Sequence, residues 1–236
     1  MNSLTVLMPV FNERRTVEQA IERVLEASLP VSDRELIVID DGSTDGTSEL
    51  LRDRSWPDGV RVLTHERNLG KGAALRTGLP HANGSVTTIM DADLEYDPRE
   101  IAELLPALDA GDADAVFGVR GFAAHNSFSF VYVLGNKLVT LAANLLYNCY
   151  LADVMTCHKA IRTDLFQSLP LREPGFAIES EITAGLLRRQ ARIYEVPVTY
   201  RARRREEGKK LTAVDGFRVL RTLVRCRVDS SATAPK

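Results

Sequence analysis

The feature that most constrains the fold is a regular alternation of short, β-rich apolar runs with longer charged segments. The segment at residues 14–27 carries apolar residues at helical spacing and charges on its other face, which predicts a helix packed on a sheet. Strands that alternate with helices predict an α/β fold with a mostly parallel central sheet flanked by helices. The predicted strands of the first half are residues 4–8, 35–40, 60–65, 86–91 and 113–119.

The second half has a different pattern. A nearly uncharged helical region at 128–151 is followed by a strand-like run at 154–161, a helix near 178–189 and a strand-like run at 192–200. We interpret residues 1–228 as one domain, with a nucleotide-sugar half at 1–119, an acceptor half at 120–228 and a flexible polar tail at 229–236.

The last helical pattern has apolar residues on one face, from Leu211 to Val224, and Arg218, Arg221 and Arg225 on the other. It predicts a basic amphipathic helix. Such a helix either packs on its own domain or lies on an anionic membrane surface, and both interpretations stay open. The apolar stretch at 131–151 is interrupted by polar residues and glycine, so it is a poor membrane span, although it suits a membrane surface.

Charge and cysteine usage narrow the class of protein. A net charge of -2 argues against a protein that coats nucleic acid, although residues 201–227 carry ten basic and three acidic side chains and form a local anion-seeking segment. Three cysteines without paired spacing suit a reducing compartment, and the first residues lack the pattern of a signal peptide. We therefore expect a cytoplasmic protein.

Polar segments follow the first two predicted strands, at the sheet edge where α/β proteins bind ligands. The first segment runs from Pro9 to Glu13 and the second from Asp40 to Thr47. The carboxylate of Asp40 or Asp41 can accept hydrogen bonds from a ribose hydroxyl or a base, which predicts a nucleoside site. For residues 43–45 we favour a simpler role, capping of the next helix.

The fourth predicted strand leads into Asp91-Ala92-Asp93, with Glu95 two residues further on. In an extended segment, acids at alternate positions project to the same side. Three converging carboxylates repel one another unless a cation neutralises them, so we expect Mg²⁺ or Mn²⁺ there, bridging the diphosphate oxygens of a bound nucleotide.

A glycine-rich segment, residues 68–74, lies between the third strand and the next helix. It lacks the spacing of a P-loop, which argues against a nucleoside triphosphatase. The amides around Gly70-Lys71-Gly72 and the Lys71 ammonium can still lie near phosphate. The alternative, a glycine-rich start of a helix without a ligand, stays open.

Together these motifs resemble the inverting family 2 glycosyltransferases of the GT-A fold, over residues 4–217. Within that family they are most similar to polyprenyl-phosphate sugar synthases of the dolichyl-phosphate mannose or glucose type, without transmembrane extensions. The resemblance implies that Asp91 and Asp93 hold the metal and the diphosphate, with Asp93 catalytic. It also implies that Glu95, at a position where the family often has Gln, completes the metal shell. The residues that it implies for the nucleoside pocket are Pro9, Val10, Glu13 and Asp41.

The resemblance extends to the cations of the acceptor half. Gly118-Val119-Arg120 matches a position where arginine faces the acceptor phosphate, which makes Arg120 a candidate catalytic residue. Arg201, Arg203 and Lys209 resemble a later basic cluster. A phosphate nucleophile must be held near an already anionic donor, and only cations offset that repulsion. The alternative is a solvated basic loop.

The function expected from this pattern is transfer of a hexosyl group from a nucleoside diphosphate sugar, of the GDP-mannose or UDP-glucose type, to a polyprenyl phosphate. We expect this reaction at the inner face of the cell membrane, through peripheral contact. An ionised phosphate needs little help from a general base, whereas a hydroxyl acceptor would need one, with Glu179 or Glu181 as candidates. A more remote alternative is a non-catalytic nucleotide-sugar binding protein. His158 stands where the family pattern has an aromatic residue, and we expect it to be packed rather than reactive.

Overall fold

The computed structural model describes residues 3–121, 130–202 and 213–229. Seven strands form one sheet in the order β3-β2-β1-β4-β6-β5-β7, and β6 is antiparallel to both of its neighbours. The mostly parallel sheet predicted from the sequence is therefore confirmed. The strands are β1 (Ser3–Val10), β2 (Asp33–Asp40), β3 (Val60–Thr64), β4 (Val86–Ile89), β5 (Ala115–Arg120), β6 (Lys159–Arg162) and β7 (Ile193–Val198).

Because successive side chains of each strand point to opposite faces of the sheet, an apolar core forms on each face. Along β2, Leu36 and Val38 belong to one buried cluster while Ile37 and Ile39 belong to the other, because successive side chains of a strand point to opposite faces. A strand covered on both faces has no polar side, which explains the continuous apolar run in its sequence.

Helices cover both faces. The α1 helix packs in the first core with α4 and α5, and the second core contains residues of α3, α6, α8 and α9. The helices are α1 (Val17–Glu26), α2 (Thr47–Asp53), α3 (Lys71–Gly78), α4 (Ile101–Leu104), α5 (Pro106–Asp109), α6 (Phe130–Tyr147), α7 (Thr163–Gln167), α8 (Ile178–Arg188) and α9 (Ala213–Val228). In the described part of the chain, no helix is long and apolar enough to cross a membrane.

Two predicted elements differ from the structure. The strand-like run at 154–161 is mostly a buried loop, and its strand, β6, begins only at Lys159. The predicted strand at 86–91 ends at Ile89, two residues before the first acid. In both places apolar residues are buried in a loop, and sequence periodicity cannot distinguish such burial from that of a strand.

Candidate active site

The parallel strands β1, β2, β3 and β4 end at one edge of the sheet, and their loops are joined there by hydrogen bonds. Asn12, at φ 53°, links the first two loops: its amide donates to Ser43 Oγ (2.9 Å), and its Oδ1 accepts from the Thr44 amide (2.8 Å). Asp45 Oδ1 accepts from the amide of Thr47, the first residue of α2 (3.1 Å). Capping by this segment is thus confirmed for Asp45, although the N-cap itself is Gly46.

The first loop keeps its predicted pocket residues close to this edge. Val10 is buried and its carbonyl accepts from the Asp41 amide (2.8 Å), while Pro9 is half-buried. The Glu13 amide donates to Thr47 Oγ1 (3.1 Å), and its carboxylate accepts from Thr16 Oγ1 (2.7 Å). These contacts fix the loop against β2 and α2.

Both aspartates at the end of β2 have protein partners. Asp40 accepts hydrogen bonds from the Ser43 amide (3.1 Å) and from Ser48 Oγ. Asp41 accepts from the amides of Leu69 (2.9 Å) and Gly70 (2.7 Å), and His65 Nδ1 lies 2.7 Å from its Oδ1. Because both side chains are almost fully buried, they hold the loops of this edge in place.

The Gly-Lys-Gly segment is glycine-rich for a packing reason. A Cβ on Gly70 would lie 2.4 Å from the Pro174 carbonyl oxygen, and a Cβ on Gly72 would lie 2.1 Å from that of Glu173. The amides of Leu69 and Gly70 are bound to Asp41, and the Ala73 amide donates to the Pro174 carbonyl (3.0 Å). The Gly70 amide is therefore engaged by Asp41, and a phosphate contact of the Lys71 and Gly72 amides stays a prediction.

The acidic segment is not extended, so the predicted projection of its acids to one side is wrong. Residues 92–96 form a turn in which Leu94 has φ 62°, and Ala92 is buried. Asp93 Oδ1 accepts from the Glu95 amide (3.0 Å). Within the described ranges, no group of three acidic, histidine or cysteine side chains is close enough together to hold a metal ion. The turn after β4 therefore does not bring all three carboxylates to one metal position.

Lys71 is the partner of Asp91. Its Nζ lies 2.8 Å from Asp91 Oδ1 and 2.9 Å from Oδ2, and it also contacts Glu179 Oε1 (3.1 Å) and Cys157 Sγ (3.0 Å). Burial lowers the pKa of Lys71, but the charges of Asp91 and Glu179 outweigh burial and raise it well above its ordinary value. Lys71 therefore remains an ammonium at this edge of the sheet.

Arg120, at the end of β5, is buried in a bidentate ion pair. Its Nε and Nη2 donate to Asp153 (2.6 and 2.8 Å), its Nη1 donates to Tyr132 Oη (3.2 Å), and Asn136 adds a bond to Asp153 (3.1 Å). Burial raises the pKa of Asp153, but the hydrogen bonds and charge of Arg120 lower it below its ordinary value. Sequence patterns do not single out Asp153, which is an isolated acid between two apolar runs.

Tyr200 connects Arg120 with the acidic turn. The Arg120 guanidinium lies 5.1 Å from the centre of the Tyr200 ring, and Tyr200 Oη donates to Glu95 Oε2 (2.5 Å). The amide of Arg201 donates to the Glu95 carbonyl (2.9 Å). The structure therefore brings Arg120, Arg201 and Glu95 together, whereas Arg203 and Lys209 lie outside the described residues.

The two glutamates of α8 are both buried, and they have different partners. Glu181 Oε2 accepts from the amides of Arg172 and Glu173 (both 2.8 Å), and its Oε1 accepts from Arg225 (2.7 Å). Glu179 lies between Lys71 and Lys159, whose Nζ is 3.2 Å from Glu179 Oε2. Each carboxylate is thus engaged inside the protein.

His158 is packed, as expected. Its ring stacks on Tyr96 with centroids 5.3 Å apart and 9° between the planes. Neither ring nitrogen has a hydrogen-bond partner among the described residues, although the main chain of Glu100 lies nearby. Burial lowers the pKa of His158 to about 4, against the weaker effects of Asp91 and Asp97, so the imidazole is neutral at physiological pH.

This burial predicts a sensitivity to acid. Because the folded pKa of about 4 lies below the unfolded value of 6.5, the unfolded chain binds the proton more readily, and stability falls as the pH drops through this window. The loss due to His158 should be about 2 kcal/mol at pH 5 relative to pH 8. In His158→Phe, which keeps an aromatic ring, the fall between pH 8 and pH 5 should be smaller by that amount, as measured by urea unfolding.

The control for this experiment is His81→Phe. His81 is exposed, so this variant removes a histidine ring without removing a buried one, and it should keep the acid sensitivity that the burial of His158 causes. Equal acid sensitivity of the wild type and His158→Phe would contradict the assignment of a buried neutral imidazole.

The sheet order and the acidic turn beyond the carboxyl end of β4 define the class of protein as a GT-A glycosyltransferase. More particularly, the chain belongs to glycosyl transferase family 2, whose model matches residues 5–169. Among solved structures, glucosyl-3-phosphoglycerate synthase from Mycobacterium tuberculosis, in complex with Mn²⁺, UDP and glucosyl-3-phosphoglycerate, is similar with a TM-score of 0.74. It is 25% identical, and the match covers 98% of this chain and 82% of that one.

Curated relatives act on polyprenyl lipids according to their names. The polyprenol monophosphomannose synthase of Mycolicibacterium smegmatis is 29% identical over 209 residues, which are 84% of this chain and 77% of the relative. The dolichol-phosphate mannosyltransferase of Pyrococcus furiosus is 28% identical over 214 residues, 87% of this chain and 58% of the relative. The dodecaprenyl-phosphate galacturonate synthase of Rhizobium johnstonii is 36% identical over 120 residues, 50% of this chain and 36% of the relative. The chain thus spans about a third of one relative and just over half of another.

Proposed function

We propose that this glycosyltransferase moves a hexosyl group from a nucleoside diphosphate sugar to a polyprenyl phosphate. The observation that carries the proposal is the hydrogen bond from the Arg201 amide to the Glu95 carbonyl (2.9 Å), which joins the start of the basic segment after β7 to the acidic turn after β4. A donor diphosphate and an acceptor phosphate are both anionic, so they need carboxylate-bound metal on one side and cations on the other. The names of the curated relatives support the same acceptor class.

The two aspartates after β4 supply the carboxylate oxygens that a hard divalent cation prefers, although the three acids do not form one cluster. Mg²⁺ takes one or two carboxylates and fills its remaining positions with water and substrate phosphate oxygens. The carboxylates of Asp91 and Asp93 would hold such an ion, while Glu95 already accepts from Tyr200. When bound, the metal would offset the charge of the departing nucleoside diphosphate. Lys71, next to Asp91, would add a fixed positive charge at the same place.

The acceptor side depends on the cations near Tyr200. Arg120 is neutralised by Asp153, so its part is to fix Tyr200 and the end of β5. Arg201 is exposed and lies beside Glu95, which makes it the described cation best placed to receive an acceptor phosphate. In the sequence, Arg203 and Lys209 follow Arg201 and would supply two further cations for the same phosphate.

A phosphorylated soluble acceptor is the second candidate, favoured by the likeness to an enzyme crystallised with phosphoglyceric acid. A hydroxyl of such an acceptor would need a base. Glu181 accepts three hydrogen bonds from the chain, and Glu179 lies between two ammonium groups, which weighs against both as that base.

One assay tests both candidates. The purified protein is incubated with Mn²⁺ or Mg²⁺, a panel that includes UDP-glucose and GDP-mannose, and either a short polyprenyl phosphate or phosphoglyceric acid. We expect a lipid-linked sugar from one of the donors and no glycosylated phosphoglyceric acid. Sugar transfer to phosphoglyceric acid alone would replace the first candidate with the second.

A lipid acceptor requires contact with a membrane, and α6 and α9 offer the surface. The two helices pack together, with Tyr147 Oη donating to the Leu223 carbonyl (2.8 Å). Exposed cations, among them Lys137 and Arg221, lie on the same two helices and suit the anionic headgroups of a membrane. The exposed apolar residues repeat at helical spacing: Phe130, Leu134, Leu138, Leu141 and Leu145 on α6, and Phe217, Leu220, Val224 and Val228 on α9.

The membrane contact gives a second prediction. Leu141→Gln/Leu145→Gln should weaken binding to vesicles that contain phosphatidylglycerol by about tenfold or more, since two apolar side chains lose their insertion energy. Co-sedimentation over a range of lipid concentrations measures this effect. The control is Tyr194→Gln, an exposed residue of β7, which should bind as the wild type does. Unchanged binding of the double variant would contradict this surface.

A further inference from the structure

Four charged side chains of alternating sign run from the acidic turn into the protein core, and we call them the buried charge chain. Asp91 pairs with Lys71 (2.8 Å), Lys71 with Glu179 (3.1 Å), and Glu179 with Lys159 (3.2 Å). The residues come from the β4 end, the start of α3, the start of α8 and β6. The chain therefore ties together four elements that are distant in the sequence.

Exposure decreases along this chain. The side chains of Asp91, Lys71, Glu179 and Lys159 are 18%, 8%, 2% and 0% exposed. The Asp91 end alone is open enough to meet a ligand, whereas the Lys159 end is enclosed. A charged ligand at Asp91 would therefore interact electrostatically with the other three ions of the chain, because water screens these buried charges only weakly.

The inner end is firmly anchored. Lys159 Nζ donates to the carbonyls of Val154 (3.2 Å) and Thr156, and it lies 4.7 Å from the centre of the Phe117 ring. Since the ammonium contacts two carbonyls and one carboxylate, its position is fixed by the backbone of the loop before β6 and by Glu179. Glu179 is held in turn, because its Oε2 accepts from this ammonium.

Lys71 depends on Glu179 for its position. Its flexible four-carbon side chain has two carboxylate partners, Asp91 on the outer side and Glu179 on the inner side. Glu179 Oε1 faces the Lys71 ammonium at 3.1 Å but outside hydrogen-bond geometry, so this contact is a charge pair rather than a directed bond. Without Glu179, Asp91 would be the only charged partner of Lys71 among the described residues, and the remaining inner contact would be the weaker one with Cys157 Sγ (3.0 Å).

We propose that Glu179 is a positioning residue, which fixes the Lys71 ammonium and through it the Asp91 carboxylate where the diphosphate of the donor binds. Lys159 supplies the counter-charge that allows Glu179 to be buried. The inference rests on the proposed function for the identity of the donor. It gives Glu179 a role other than that of a general base, because both of its carboxylate oxygens face ammonium groups inside the protein.

The test measures binding of UDP and of GDP, each with Mn²⁺, by isothermal titration calorimetry, together with thermal unfolding. For the nucleotide that the wild type binds, Glu179→Gln should raise the Kd about tenfold, because Lys71 loses its inner partner. The same substitution should lower the unfolding midpoint, because Lys159 loses its counter-charge. Glu179→Gln/Lys159→Met removes the inner pair as a unit. In this double variant the unfolding midpoint should recover, whereas the Kd should stay raised because Lys71 still lacks its inner partner.

The control is Glu35→Gln. This carboxylate, near the opposite end of β2, accepts from Thr5 Oγ1 (2.6 Å) and from the Asn83 amide (2.6 Å). Its replacement should lower the unfolding midpoint and leave the nucleotide Kd unchanged.

The outcomes separate the inference from the proposed function. A Kd that returns to the wild-type value in the double variant shows that Glu179 only balances charge, which overturns the inference. An unchanged Kd in Glu179→Gln does the same. If Glu179→Gln does not fold, the double variant decides by its Kd alone. A wild type that binds neither nucleotide overturns the donor site itself, and with it the proposed function.

Discussion

Replacing Asp153 by asparagine is expected to lower the free energy of unfolding by about 3–5 kcal/mol, because it leaves the buried Arg120 guanidinium without a counter-charge. Arg120 is 3% exposed and Asp153 is fully buried, so water cannot replace the lost partner. Asparagine keeps the size of the side chain and one carbonyl oxygen, which isolates the effect of charge. Urea unfolding, followed by the fluorescence of Trp56, measures the change.

The matched control is Asp114→Asn. Asp114 also pairs with an arginine, Arg192, at 2.9 Å, but the side chains are 25% and 55% exposed. Exposed ion pairs contribute little, so we expect a loss of at most about 1 kcal/mol. Similar losses for the two variants would show that the Arg120–Asp153 pair is not the stabilising contact that its burial indicates.

Replacing Gly72 by alanine is expected to lower the free energy of unfolding by about 3 kcal/mol or more. The new Cβ would lie 2.1 Å from the Glu173 carbonyl oxygen and 3.0 Å from two further backbone atoms, so the main chain at 173–174 must move. The α3 helix would then shift against the loop before α8, and Lys71 would shift with it. Chemical denaturation measures the stability, and a raised nucleotide Kd should accompany its loss.

Gly135→Ala serves as the control for this substitution. Gly135 lies within α6, and a Cβ there meets nothing within 4 Å. Alanine is the better helix former, so this variant should be neutral or stabilised by about 0.5–1 kcal/mol. If Gly72→Ala is as stable as Gly135→Ala, the close approach of α3 to residues 173–174 is not what requires the glycine.

Sequence patterns predicted the elements of the fold well because the relevant signals are local. An apolar run bounded by polar turns marks each parallel strand, and the alternation with helical periodicity implies the sheet. The antiparallel placement of β6 had no such signal, since strand order depends on how the chain crosses over the sheet. The loop at 153–158 was also not predicted, because its apolar residues are buried without belonging to a strand.

In the candidate site, too, residues within motifs were predicted from the sequence and their distant partners were not. The acids after β4, the Gly-Lys-Gly segment and Arg120 were found because motifs keep chemically important residues at fixed spacing. Their partners were not found, since Asp153 is 33 positions from Arg120 and Tyr200 is 105 from Glu95. Such pairs form only when the fold is complete, and each decides whether a charged group faces a ligand or another residue.

The sequence by itself determined the α/β class, the edge of the sheet where the candidate site is expected and the acidic segment Asp91-Ala92-Asp93, because these follow from local periodicity and motif spacing. Only the tertiary structure decided what these side chains contact. The turn at Leu94 ends the extended run after β4, and packing of α3 and α8 places Lys71 between Asp91 and Glu179. The physical reason is that buried charges must be paired, and their partners come from whichever elements the core brings together.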